Sequence, residues 1–141
     1  MSTDHPEEFW LGIDQFNQRQ FYECHDTLEA IWMEAIEPDR TFYQGILQIA
    51  VALYHLSNHN GRGAVILLGE GIRRLRPYEP EYGEIDVVHL IDQSAALLYT
   101  LQRTEAEAIA PLWESLQQAT PTSESLTIPT IISLGGDGGE P

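Results

Sequence analysis

The chain has 141 residues, 43% of them apolar, with 22 acidic side chains against 7 basic ones and a formal charge of −15. That length predicts one domain with a sizeable core, and the charge opposes nucleic acid or an anionic membrane surface as a partner. A single cysteine excludes an internal disulfide framework and any CxxC redox or zinc motif.

No apolar run approaches the ~20 residues of a membrane span. The opening MSTDHPEEFW is acidic and lacks the basic start and apolar centre of a signal peptide. The expectation is a cytoplasmic protein with no membrane partner.

Taken in order, the spacing predicts a first helix over 5–19. Pro6 suits its first turn, Glu7 and Glu8 suit its positive end, and Phe9, Trp10, Ile13 and Phe16 form its apolar face. A second helix over 20–36 carries the stripe Phe21, Cys24, Leu28, Ile31, Trp32 and Ala35. Cys24 on that stripe reads as a buried, inert thiol. Glu37, Pro38 and Asp39 break the helix, and Asp39 is placed to cap the next.

The third helix, over 41–59, is the centre of the prediction. At about 100° per residue, Phe42, Ile46, Ile49, Leu53 and Leu56 share one face. Tyr43, Leu47, Ala50, Val51 and Tyr54 fill most of the remainder, the pattern of a buried helix. Asn60-Gly61 then marks a turn, and so short a connection makes the next helix an antiparallel neighbour. That fourth helix spans 62–75 and ends at Pro77 and Pro80; its Arg73, Arg74 and Arg76 read as favourable charge at a helix C-terminus. YEPEYGEI reads as a loop.

A fifth helix is predicted over 86–103 and a sixth over 105–119, with Pro111 placed to kink or divide it. From 120 the composition changes, and 120–141 reads as a flexible acidic tail after a single helical domain over 1–119. Within the tail LTIPTIISL is apolar and β-branched, and Pro129 argues against a regular central strand. The stretch is expected as an extended arm across the body or a neighbouring subunit, or left loose. The fold class is thus all-α, a compact bundle of five to six helices around a central buried third.

One feature of the third helix does not fit a purely apolar surrounding. Gln44, Gln48, His55 and His59 fall within about 60° of one another on its wheel. Buried amides and imidazoles need partners, since an unpaired one costs about 1–3 kcal/mol. His25 and Glu29 of the second helix, spaced i, i+4, lie at the edge of its stripe, with Trp32 one turn on. If the two edges meet, His25, Glu29, Gln44, Gln48 and His55 converge, with Trp32 as core or as an aromatic wall.

Two readings of that convergence stand open. In one it is a buried hydrogen-bond network that fixes helix register in a structural or interaction protein forming a homo-oligomer. In the other it is a pocket for a small-molecule ligand or a divalent metal, with His25, Glu29 and His55 as metal ligands or as acid–base groups of a hydrolase-like enzyme. No GxSxG, Walker loop, GxGxxG, HExxH or EF-hand spacing is present, so the sequence names no reaction. Nor does a period near 34 residues repeat, which argues against a tetratricopeptide array.

The strings FNQRQFYECHDTLEAIW and FYQGILQIAVALYHLSNHNGRGA resemble an all-helical family known as domain of unknown function 309. The resemblance rests on Phe16-Asn17, on His25 to Glu29 followed by Trp32, on Gln44-Gly45-Ile46-Leu47-Gln48 with Ala50, and on His55 before Asn60 and Gly63-Ala64. Asp26 stands where that pattern usually has Glu, and His-Asn-Gly-Arg-Gly replaces its commoner turn. The resemblance implies a compact, self-associating helical bundle with no established activity, and its characteristic polar residues coincide with the stripe derived from periodicity.

Overall fold

The structure is a computed structural model that describes residues 5–118 and 126–135. Among them are six α-helices: α1 (Glu7–Asn17), α2 (Phe21–Glu34), α3 (Asp39–Ser57), α4 (Gly61–Leu75), α5 (Val87–Gln102) and α6 (Ile109–Gln118). The periodicity of each stripe decides which neighbour it meets. α3, whose ten buried residues cover most of its circumference, packs between α2 and α4, while α1 lies on α2 and α5 on α4. No helix among the described residues is long and apolar enough to cross a membrane.

Local chemistry differs from expectation at three places. Asp39 does not cap α3: its carboxylate accepts the Tyr82 hydroxyl, and Glu37 receives the first turn instead, from Thr41 N at 3.0 Å and Thr41 Oγ1 at 2.8 Å. Those bonds hold the Glu37 carboxyl below its ordinary range. Pro111 neither kinks nor divides α6. It is the third residue of that helix, where its missing N–H would have had no intrahelical acceptor, and a 3₁₀ turn (Ala106–Ala108) leads in.

The third difference is YEPEYGEI, which is not simply a loop. It forms a hairpin, β1 (Glu81–Tyr82) antiparallel to β2 (Ile85–Asp86), with Tyr82 opposite Ile85. Gly83 and Glu84 turn it with φ of 53° and 68°, the left-handed pair of a type I′ turn.

The apolar segment near the C-terminus crosses the body of this same chain. Ile128 and Ile131 are buried, Asp86 N donates to Ile132 O at 3.0 Å, and Leu134 N donates to Glu84 O at 2.7 Å. Asn17 holds it from α1 through both backbone groups of one residue: Nδ2 donates to Ile131 O at 2.9 Å, and Oδ1 accepts from Ile131 N at 2.8 Å. Gln93 of α5 holds it through Thr130 N at 2.8 Å and Thr127 at 3.1 Å. The rest of the predicted tail, 120–125 and 136–141, lies outside the described residues. Asn17→Ala removes both arms of the first clamp and leaves the Ile131 N–H and C=O without these partners, a loss of about 1–3 kcal/mol. Limited proteolysis is expected to cut the variant within 126–135 well before the parent chain; equal digestion rates would show that the clamp does not hold the arm.

Candidate functional site

One flank of each of three helices, with α3 packed between α2 and α4, carries the candidate residues and their neighbours. On α2 they are His25, Glu29 and Trp32; on α3, Gln44, Gln48, Val51 and His55; on α4, Gly63, Leu67, Glu70 and Arg74. Each set advances by four and three residues, so each occupies one side of its helix.

Contacts fix the alignment of the three. Tyr22 meets Tyr54 at 5.5 Å and the Arg40 guanidinium sits 4.3 Å over the Trp32 ring, so His25 and Glu29 on α2, and Gln44 and Gln48 on α3, lie between two pinned ends. A β-carbon at Gly63 would be 3.1 Å from the His55 ring, and one at Gly45 would be 2.7 Å from Leu75. The opposite flank of α4, with Arg62 and Val65, faces Leu101 and Ile109 instead. The α4 flank ending in Arg74 therefore borders the polar side of α3.

The predicted residues on these flanks are partnered unevenly. His25 turns to its own helix, Nδ1 lying 3.1 Å from Asp26 Oδ1 and Nε2 4.0 Å from Glu29 Oε1. His25 is 32% exposed and Glu29 46%, so this locus is open to solvent and not sealed. His55 Nδ1 is 3.5 Å from Asn60 Nδ2, while the Asn60 side-chain oxygen caps α4 by accepting Gly63 N at 2.9 Å. Among the described residues no hydrogen bond joins His25 or Glu29 to Gln44, Gln48 or His55. Gln48 Oε1, Trp32 Nε1 and Arg74 Nε are buried without a protein partner.

One group in the molecule has metal-ligand geometry among the described residues. His25, Asp26 and Glu29 each offer one ligand atom, all within 4.8 Å of one another. Bonds of about 2.0–2.2 Å to a common zinc ion bring such atoms within about 4.4 Å, so a small side-chain rotation closes the set. Of the predicted ligands, His25 and Glu29 thus stand together, Asp26 joins them, and His55 stands apart with Asn60. The i, i+4 spacing carried the first pair. Asp26 has a shorter carboxylate than the Glu that the family pattern usually has there, yet its position next to His25 brings it 3.1 Å from Nδ1.

A second cluster was not singled out from sequence. His5 stacks 4.0 Å from Phe9 and 6.1 Å from Phe42, and Tyr78 and Tyr82 lie 5.2 and 4.7 Å from Phe42. His5 Nε2 is 3.2 Å from Gly83 O, an obligate acceptor, so the neutral ring carries its proton there and Tyr43 Oη donates to Nδ1 at 2.8 Å. Burial, with Asp39 nearby, pushes the Tyr43 phenol up to about 12. Cys24 is likewise buried, which pushes its thiol up to about 12 and makes it an unreactive core residue. His5 precedes the first helical turn and gives no periodic signal; only the tertiary meeting of α1, α3 and the hairpin reveals it.

Residues 9–67 match the family described as Domain of unknown function (DUF309). Over 59 residues the chain is 41% identical to the uncharacterized protein YpuF of Bacillus subtilis (strain 168). That stretch is 41% of this chain and 34% of that protein, so the match spans about a third of the relative's length. No solved structure gives a significant match. The matched segment contains α2, α3 and the start of α4, with His25, Glu29, Trp32, Gln44, Gln48 and His55 all inside it. The motifs that carried the resemblance, from Phe16-Asn17 to Gly63-Ala64, all lie within the residues 9–67 that are similar to this family.

Proposed function

We propose that the protein is a binding module whose α2–α3 margin takes a divalent cation through His25, Asp26 and Glu29. The observation that carries this reading is the approach of one imidazole and two carboxylates to within 4.8 Å on an open helical turn. A mixed nitrogen and oxygen set of that kind suits zinc or manganese, and a net charge of −15 favours a cation as ligand. Such an ion would supply Lewis acidity and an activated water.

Chelator-stripped protein titrated with Zn²⁺ or Mn²⁺ in a calorimeter is expected to bind one ion per chain. His25→Ala and Glu29→Gln should each weaken binding about tenfold or more, about 1.4 kcal/mol per decade. Both side chains are part-exposed, so the variants should keep the parent melting temperature. Absence of heat and of any thermal shift with either ion ends the cation reading.

Self-association is a second reading, favoured by one observation. Met33 near the end of α2 and Ile36 just beyond it are 66% and 80% exposed, and Ile36 lines a groove with Ala30, Ile31 and Ala35. A homo-oligomer built on that edge predicts that Ile36→Asp yields monomer by sedimentation where the parent chain does not. A monomeric parent rules it out.

A further inference from the structure

We propose that the cleft between the start of α4 and the end of α5 binds a small apolar carboxylate, an acid with a hydrocarbon tail. The inference goes beyond the cation reading and does not depend on it. The cavity measures about 610 Å³ and is walled by α4, by the end of α5 and by the turn that leads into α6. That volume falls within the range of about 300–1,000 Å³ usual for small-molecule sites. Its floor is apolar and closed. Leu101 and Ile109 are buried, and Gly61 approaches Ile109 so closely that a β-carbon there would lie 2.8 Å from Ile109 Cδ1. Val65 and Ile66 form the α4 wall, where Ile66 is 56% exposed. A hydrocarbon tail laid on these side chains takes their apolar surface out of water.

Charge at the mouth selects the head group. In a chain with 22 acidic and 7 basic side chains, no carboxylate lines this cleft, while Arg62 and His59 do. Arg62 makes no ion pair or hydrogen bond among the described residues. It is the second residue of α4, at the positive end of the helix dipole, where a cation is disfavoured. Its own helix therefore gives no reason for the charge, whereas a carboxylate offers the guanidinium two oxygens and charge-assisted bonds. Gln102, also without a hydrogen-bond partner among the described residues, adds an amide to the same cleft. Glu105 and Glu107 stand on the turn that contributes Ala106, exposed and outside the lining. They favour a singly charged carboxylate over a doubly charged phosphate ester, which they would repel more strongly.

The full chain, ¹⁵N-labelled and chelator-stripped, is titrated separately with sodium octanoate, sodium acetate and octylammonium chloride at constant ionic strength. Amide signals of residues 61–66 are expected to shift saturably with octanoate. Acetate, which keeps the head group and lacks the tail, should bind at least about tenfold more weakly, and so should octylammonium, which keeps the tail and reverses the charge. Arg62→Gln should weaken octanoate about tenfold or more, with part of the loss recovered in Arg62→Lys. Arg62 is exposed and unpartnered, so both variants should keep the parent melting temperature. Arg73→Gln, which alters an arginine paired with Glu70 farther along the same helix, should leave octanoate binding unchanged. No saturable shift with octanoate, equal binding of octylammonium, or undiminished octanoate binding in Arg62→Gln overturns the proposal. A parent dimer that Ile66→Asp converts to monomer, with no octanoate response, identifies a second copy as the occupant and overturns it likewise. The cation titration reads His25 and Glu29 on α2, so either result can fail without the other.

Discussion

Phe42→Ala is expected to destabilise the protein by about 3–5 kcal/mol, the usual loss for truncating a fully buried phenylalanine. The ring is wholly shielded from solvent at the point where the chain's separate parts meet. It contacts Tyr78 and Tyr82 from the hairpin side and His5 and Phe9 from the start of the chain. Aromatic pairs at such separations add about 0.5–1.5 kcal/mol beyond their buried area, so the variant forfeits pair energy and leaves a cavity. A domain stabilised by about 5–15 kcal/mol then loses a large share of its margin. Thermal denaturation should show a melting temperature lower by about 10 °C or more. The exposed aromatic Tyr22, replaced by alanine, should shift it little. Equal effects at the two positions would mean that the cluster does not hold the hairpin to the bundle.

Gly71→Ala should also destabilise, by about 1–3 kcal/mol, although alanine favours helix over glycine by about 1 kcal/mol. The added carbon would lie 2.6 Å from Ile49 Cγ1 and 2.9 Å from the Gly45 carbonyl oxygen. A side chain can give way; a backbone oxygen on the neighbouring helix cannot, so α3 and α4 must separate. Gly69 provides the opposite sign on the same helix. Nothing stands within 4 Å of its β position, so Gly69→Ala should stabilise by about 0.5–1 kcal/mol. Chemical denaturation of the two variants side by side measures the difference directly. If both stabilise, the α3–α4 approach is looser than the geometry here.

Those two glycines show what the sequence could convey and what it could not. The repeat of apolar residues in α2 to α5 is long enough to fix helix type and buried face, and the structure moves their ends by no more than two residues. It cannot separate Gly71, needed for close approach, from Gly69, two positions away, because that depends on which residue of α3 stands opposite. The hairpin was hidden for another reason. Two-residue strands are too short to show alternation, and Glu84 in the left-handed region is not a residue that signals a type I′ turn.

The candidate site divides in the same way. His25 and Glu29 were legible as an i, i+4 pair, and Gln44, Gln48 and His55 as one stripe. Which hydrogen bonds they make was not, because each residue had a local competitor. Asp26 competes for His25 within its own turn, and Asn60 takes His55. The Trp32 and Arg74 nitrogens, on the separate helices α2 and α4, are each buried without a protein partner, which helical spacing alone does not show. Asp39 failed as a cap because a tyrosine more than forty positions later reaches it, and local spacing contains no trace of that.

The arm over 126–135 has a bearing on how the chain comes off the ribosome. Asn17 is translated more than a hundred codons before its partner Ile131, so its clamp stays unfilled until residues 126–135 have emerged. The bundle can collapse earlier, since its helices contact sequence neighbours, and the arm then ties α1 to α5 through Asn17 and Gln93. A nascent chain stalled before that point would leave the seat of Ile128 and Ile131 uncovered.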